Sequence, residues 1–203
     1  MAAAAKRPGA EVRRKQILDA AAEVIGGKCY HWATTKEIAQ AAGVSERTLF
    51  LYFENKKEIY REAVKQAHRE LFEALGRSAP PMDDIRTFLK MSERNFLAYL
   101  EEHPLKVKLL FQALDAMGDE DLREDIRGTF QSLYELFSAI IEKAKQRGEI
   151  NEDVSTLSAV ASILGFHFIL AYVEFLKLDW FAGEDDIYAV VDVFADFVTN
   201  REK

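Results

Sequence analysis

The sequence predicts an all-α protein in two parts, a three-helix N-terminal domain built on a helix-turn-helix and a larger helical C-terminal domain. Three observations point there. Apolar residues recur at helical spacing along most of the chain, and no stretch alternates as a strand would. The segment from Thr34 to Lys56, TTKEIAQAAGVSERTLFLYFENK, reads as two short helices joined by a tight turn. Charge is divided as well: residues 1–60 hold 10 Lys and Arg against 7 Asp and Glu, whereas the chain of 203 residues carries −7 overall. A basic end on an acidic body is the arrangement that local neutralisation of a polyanion requires.

The elements follow in order. Residues 1–10 form a flexible arm of Ala, Lys, Arg, Pro and Gly with no apolar period. Lys6 and Arg7 there read as a solubilising tail, the alternative being an arm that reaches a minor groove. A first helix runs from about Glu11 to Gly26, with Ile17, Ala20, Ala21 and Val24 on one face. Thr34 caps the next, and Glu37 can close a capping box. Gly43 supplies the positive φ of a sharp turn. Ser45 caps a second short helix, Glu46 to Phe53, held by Leu49, Phe50 and Phe53. Asn55 and Glu58 repeat the capping pattern and open a long helix from Lys56 to about Gly76. We assign residues 1–60 to the DNA-binding domain and 61–203 to the second, and the run Ser78-Ala79-Pro80-Pro81, which breaks the long helix, is the best domain boundary that composition offers.

The larger domain opens with a helix from about Met82 to Glu102, ended by His103-Pro104. A shorter one follows, Leu105 to Leu114. Asp119 can cap the next, whose stripe of Leu122, Ile126, Phe130, Leu133, Phe137, Ile140, Ile141 and Ala144 ends at Gly148. The last two differ in kind. Leu157 to Val173 is a run of 17 residues without a formal charge, and the final helix carries a second apolar stripe, Val193 and Phe197, beside Ile187, Val190, Val191, Phe194 and Val198. A helix apolar on most sides must be covered on most sides. A second copy of the chain is the natural cover, so a homodimer through about residues 155–177 and 185–200 is expected. A membrane span is the weaker account of Leu157 to Val173, since it holds His167 and has acidic flanks.

Cysteine usage and the N-terminus bound the compartment. Cys29 is the single cysteine, which excludes an internal disulfide framework and fits a reducing cytoplasm. The alanine run is too short for a signal-peptide core and meets Lys6-Arg7-Pro8 at once. A cytoplasmic protein is expected. Enzyme chemistry finds no support in the motifs. None of His31, His68, His103 and His167 follows a Glu by three residues, and HExxH, Walker, GxSxG and CxxC patterns are absent. We therefore expect no catalytic residue, no metal site and no cofactor.

Preceded by Ile17-Leu18-x-Ala20-Ala21-Ala22 and closed by Thr48-Leu49-Phe50-Leu51-Tyr52-Phe53-x-x-Lys56, the window resembles the N-terminal domain of TetR-family transcriptional regulators. The resemblance covers about residues 13–60. It implies a ligand-released repressor that binds an inverted-repeat operator in double-stranded DNA as a homodimer, with a C-terminal domain that senses a small apolar or amphipathic effector. It also implies roles. Thr35, Tyr52 and Lys56 match positions that hold phosphates, while Ser45, Arg47 and Thr48 fall on the opening turn of the helix that reads bases. Two departures stand out: Cys29, where most members have glycine, and Phe50, where many have tyrosine. For the effector, the residues that placement suggests are Phe88, Met91, Phe111, Phe130, Tyr134, Phe137, Phe166, His167 and Leu170. Each of these also has a simpler role as core packing, and His167 on an apolar helix needs a partner of some kind.

Overall fold

The computed structural model describes residues 9–76, 84–113, 118–179 and 184–199. They form helices with no strand among them: α1 (Ala10–Lys28), α2 (Thr35–Ala41), α3 (Glu46–Leu49), α4 (Lys56–Gly76), α5 (Ile85–Glu102), α6 (Pro104–Gln112), α7 (Glu120–Gln146), α8 (Thr156–Leu176) and α9 (Glu184–Thr199). Most of the arm and the whole of the Ser78–Pro81 break lie outside the described residues. The chain divides into two compact units, Met1–Arg69 with Pro104–Ile126, and Glu70–His103 with Arg127–Lys203. This differs from a single cut at residue 60. The reason is visible in the packing: α6, the start of α7 and most of α4 complete the core around α1.

In the first unit Ile17, Ala21 and Ile25 of α1 are fully buried, together with Ile38, Leu49 and Ile59. Helix α6 lies on α1, and the approach is closest at Gly26. A Cβ there would stand 2.2 Å from the carbonyl oxygen of Leu105, so only glycine fits. The Gln112 side chain donates to the Gly26 carbonyl at 3.1 Å. Pro104 begins α6, where its missing N–H is no loss. Asp19 of α1 ties three helices together, accepting from Lys106 Nζ at 2.7 Å and from Gln66 Nε2 at 2.8 Å. Lys106 is thereby a buried cation whose charge is met, as burial demands.

In the second unit α5 presents one buried stripe: Ile85, Phe88, Leu89, Phe96, Tyr99 and Leu100, with Ser92 and Glu93 inside it. Asp84 caps this helix, accepting from the N–H groups of Arg86 and Thr87 at 3.0 and 3.1 Å. Helix α7 ends at Gln146, and Gly148 just beyond it, with φ +72°, closes the last turn. Helix α8 buries Ala159, Val160, Ile163, His167, Leu170 and Ala171. Helix α9 turns Ile187, Val191 and Ala195 inward and is clamped to α5 by Arg86 and Lys90, both paired with Asp192.

The outer faces of these two helices are apolar. Of the ten large apolar side chains exposed among the described residues, six are on α8 and α9: Leu157, Tyr172, Leu176, Val190, Val193 and Phe197. Val193 and Phe197, the second stripe of α9, are 71% and 74% exposed, whereas Phe194 is half-buried. The described part of the molecule has one helix, α8, long and apolar enough to cross a bilayer. A buried His167 in its inward stripe is what a core helix shows.

Candidate nucleic-acid interface and effector cavity

The helix-turn-helix forms as its capping residues dictate. Thr34 Oγ1 accepts from the Glu37 N–H at 3.2 Å, and the Glu37 carboxylate accepts from the Thr34 N–H at 3.0 Å. Lys28 reaches the same carboxylate, and these donors hold Glu37 below its ordinary value, the Lys28 bond first. Gly43 takes φ +65° in the turn, and the Val44 N–H closes onto the Ala39 carbonyl at 2.9 Å. Ser45 caps α3 by accepting from the Thr48 N–H at 3.0 Å. The second helix is shorter than the expected Glu46–Phe53 span. Its α-helical part ends at Leu49, and Leu51 and Tyr52 continue with i−3 bonds of 3.1 and 3.0 Å, a tighter 3₁₀-like turn.

The residues expected to meet DNA lie together on this head. Ser45 and Arg47 are exposed, and Thr35, Thr48, Tyr52 and Lys56 are half-buried. Two of their neighbours escaped the sequence reading. Lys56 Nζ stands 4.4 Å from the centre of the Tyr30 ring, and Tyr30 itself stacks on Tyr60 at 4.5 Å. The aromatic pair aims the Lys56 ammonium, and partial burial lowers its pKa. Glu46 turns to Thr35, accepting its hydroxyl proton at 2.6 Å. The free head thus holds the Thr35 hydroxyl, an expected phosphate donor, on a carboxylate.

Cys29 occupies the C-cap of α1 with φ +71° and ψ 153°, a region essentially reserved for glycine. Its N–H donates to the Ile25 carbonyl at 2.7 Å, and its carbonyl accepts from Trp32 and Ala33 at 3.3 and 3.2 Å. The backbone is fixed on both sides, so the departure at Cys29 falls where a side chain is strained.

In the second unit a cavity of about 320 Å³ lies among α5, α8 and α9. Its walls are apolar, from Leu89, Ile163, Phe166, Ile169, Val191 and Phe194, with Glu93 the one ionisable residue among the described residues that line it. Of the residues placed in a ligand site from sequence, Phe166 lines this cavity. Leu170 lines a second groove of about 340 Å³ with Leu97, Val173 and Ile187. Phe88 and Phe137 meet edge-on at 6.3 Å in the core, and Phe130 stacks on Phe168. Met91 and Tyr134 are half-buried. Phe111 lies on α6, in the first unit.

His167 finds the partner its position demanded. Its Nδ1 is 3.0 Å from the Ile163 carbonyl, which can only accept, so Nδ1 carries the proton and Nε2 the lone pair. That lone pair faces Glu93 Oε2 at 3.5 Å, long for a hydrogen bond, and neither atom has another partner. Burial pushes the Glu93 carboxyl up to about 8 and the His167 imidazole down to about 4. Both are therefore neutral near pH 7, the state that an apolar surround favours. The signal for Glu93 was present in the sequence: it occupies a core register position of α5, eight residues after Ile85 and three before Phe96.

A capped helix-turn-helix on a three-helix head, joined to a helical unit, is the architecture of a DNA-binding transcriptional regulator. Residues 17–63 match the family described as bacterial regulatory proteins, tetR family, so the head carries the DNA-binding domain of that family. It is 27% identical over 164 residues to the fatty acid metabolism regulator protein of Bacillus subtilis, spanning 79% of this chain and 80% of that one. It is 25% identical over 162 residues to the nucleoid occlusion factor SlmA of Marinobacter nauticus, 80% of each chain. Among solved structures, the transcriptional regulator FadR of Bacillus subtilis in complex with stearoyl-CoA superposes with a TM-score of 0.71 at 21% identity, covering 92% of this chain and 97% of that one. At that identity the likeness speaks for the fold.

Proposed function

We propose that the chain is a repressor that binds an inverted-repeat operator as a homodimer and is released by a small effector held in the second unit. The observation that carries the reading is the pairing, in one chain, of an exposed Ser45-Arg47 reading turn with an apolar cavity that is large enough for a ligand. Thr35, Tyr52 and Lys56 position the head on phosphates, and Arg47 and Thr48 address base edges. The dimer forms through the outer faces of α8 and α9, where Leu157, Tyr172, Leu176, Val193 and Phe197 leave apolar surface that one chain does not cover. An inverted operator follows from a two-fold dimer, which presents its two reading helices in opposite senses.

Release requires an effector with more affinity for a form of the dimer whose heads misfit the operator than for the form that fits. Helix α4 contributes residues to both units and is the natural lever. The test is selection of bound fragments from genomic DNA by the purified protein. Recovery of a palindromic motif upstream of genes supports the reading; recovery of sequence-independent fragments overturns it.

A further inference from the structure

We infer that the cavity of the second unit is a site for an organic cation, an amine with an apolar body, whose nitrogen is received by the Glu93 carboxylate. The inference rests on the effector reading above and names its ligand class. Glu93 is buried to 2% exposure and lines the cavity, with Oε2 lacking any hydrogen-bond partner. A carboxyl in that state is tolerated as the neutral acid and is poorly satisfied. An ammonium beside it supplies what the protein leaves out, a donor and an opposite charge in a medium that screens little. The remaining wall of Leu89, Ile163, Phe166, Ile169, Val190 and Phe194 takes an aliphatic or aromatic body.

The same wall argues against an anionic head. Among the described residues it contains no Lys or Arg. His167, whose Nε2 stands 3.5 Å from Glu93 Oε2, has Nδ1 already committed to the Ile163 carbonyl and its pKa depressed by burial. A carboxylate or a coenzyme phosphate at this point would meet Glu93 and no cation. A metal ion is not indicated either, since no group of three His, Cys, Asp or Glu is clustered among the described residues. The volume of about 320 Å³ is at the small end for ligand pockets, which suits a single short chain or one ring system.

The test uses calorimetry on the intact protein with octylamine, octanol and octanoate, probes of one chain length that differ only in the head. Octylamine is expected to bind roughly tenfold or more tightly than octanol, with octanoate the weakest, because the amine alone makes a charge-assisted bond. Glu93→Gln should bring octylamine to the level of octanol and leave octanol unchanged. Gly165→Leu is the second variant. Gly165 lines the cavity and a Cβ there meets nothing within 4 Å, so a longer side chain has room to enter the space and should exclude octylamine and octanol alike, with the fold of the variant checked by its melting temperature. Equal binding of the three heads, tighter binding of octanoate, or an amine preference that survives Glu93→Gln overturns the proposal. Operator binding is read separately. If octylamine binds through Glu93 and leaves DNA affinity unchanged, the cation site stands and the effector reading falls.

Discussion

Replacing Cys29 with glycine should stabilise the protein, and the size follows from its backbone. At φ +71° and ψ 153° a side chain is held in a region where strain is about 1–3 kcal/mol. The strain cannot relax, because the N–H is bonded to Ile25 and the carbonyl receives both Trp32 and Ala33. Glycine removes the clash and adds about 0.4–1 kcal/mol of unfolded-chain entropy in opposition. The net gain should be roughly 0.5–2 kcal/mol, or a rise in Tm of roughly 2–6 °C for a chain of this size. Scanning calorimetry of Cys29→Gly beside Cys29→Ala reads it. Alanine keeps the Cβ and so keeps the strain, and should melt within about 1 °C of the parent. If alanine stabilises as much as glycine, the thiol rather than the backbone is at fault. If glycine destabilises, the conformation is not strained and the argument fails.

Further predictions follow from the head, the outer faces and the buried pair. Lys56→Ala should weaken all DNA sites alike and flatten the salt slope by about one, whereas Arg47→Ala should cost about 1–3 kcal/mol at the preferred operator and relax choice at one base position per half-site. An even loss over all single-base variants would make Arg47 a phosphate contact. Phe197→Glu, placed on the exposed stripe of α9, should give monomers in sedimentation, and a variant that stays fully dimeric would move the interface elsewhere. Glu93 binds its proton up to about pH 8 in the fold but only near 4.5 when unfolded, so the stability this proton confers is complete in acid and is lost as pH rises to about 8. Glu93→Gln should remove that fall in Tm between about pH 6.5 and 8.5, a window above the range in which His167 titrates with the opposite sign, and an unchanged slope would refute the burial argument.

The DNA-binding head was legible in sequence because its determinants are local. Thr34 with Glu37, Gly43 and Ser45 each act within four residues of their own position, so capping and turn rules place them directly. Long-range partners were not legible. That Glu46 holds the Thr35 hydroxyl depends on how α2 and α3 cross, and that Tyr30 sits under Lys56 depends on where the strained turn at Cys29 delivers it. In α9 periodicity found both apolar stripes but could not say which would meet α5. The clamp of Arg86 and Lys90 on Asp192 decides it, turning Val191 inward and Phe197 outward.

The second unit shows why a ligand site is harder to read than a DNA-binding head. Aromatic residues at helical spacing are chosen by the core and by a ligand for the same reason, the removal of apolar area from water. Phe88, Phe137 and Leu170 carry the pattern of a pocket, yet the first two meet each other in the core. What separates a cavity from a core is a residue that breaks the pattern. Glu93 is such a residue, for a buried carboxyl at a core position lowers stability unless something compensates it. His167 Nε2 stands 3.5 Å from Glu93 Oε2, too long for a good hydrogen bond, and leaves that oxygen unmet. A core selected for stability alone would replace the pair with a packed apolar one at little loss. That a costly, half-satisfied acid borders empty apolar volume is therefore the best physical ground for placing the ligand's polar atom there rather than at any of the aromatics.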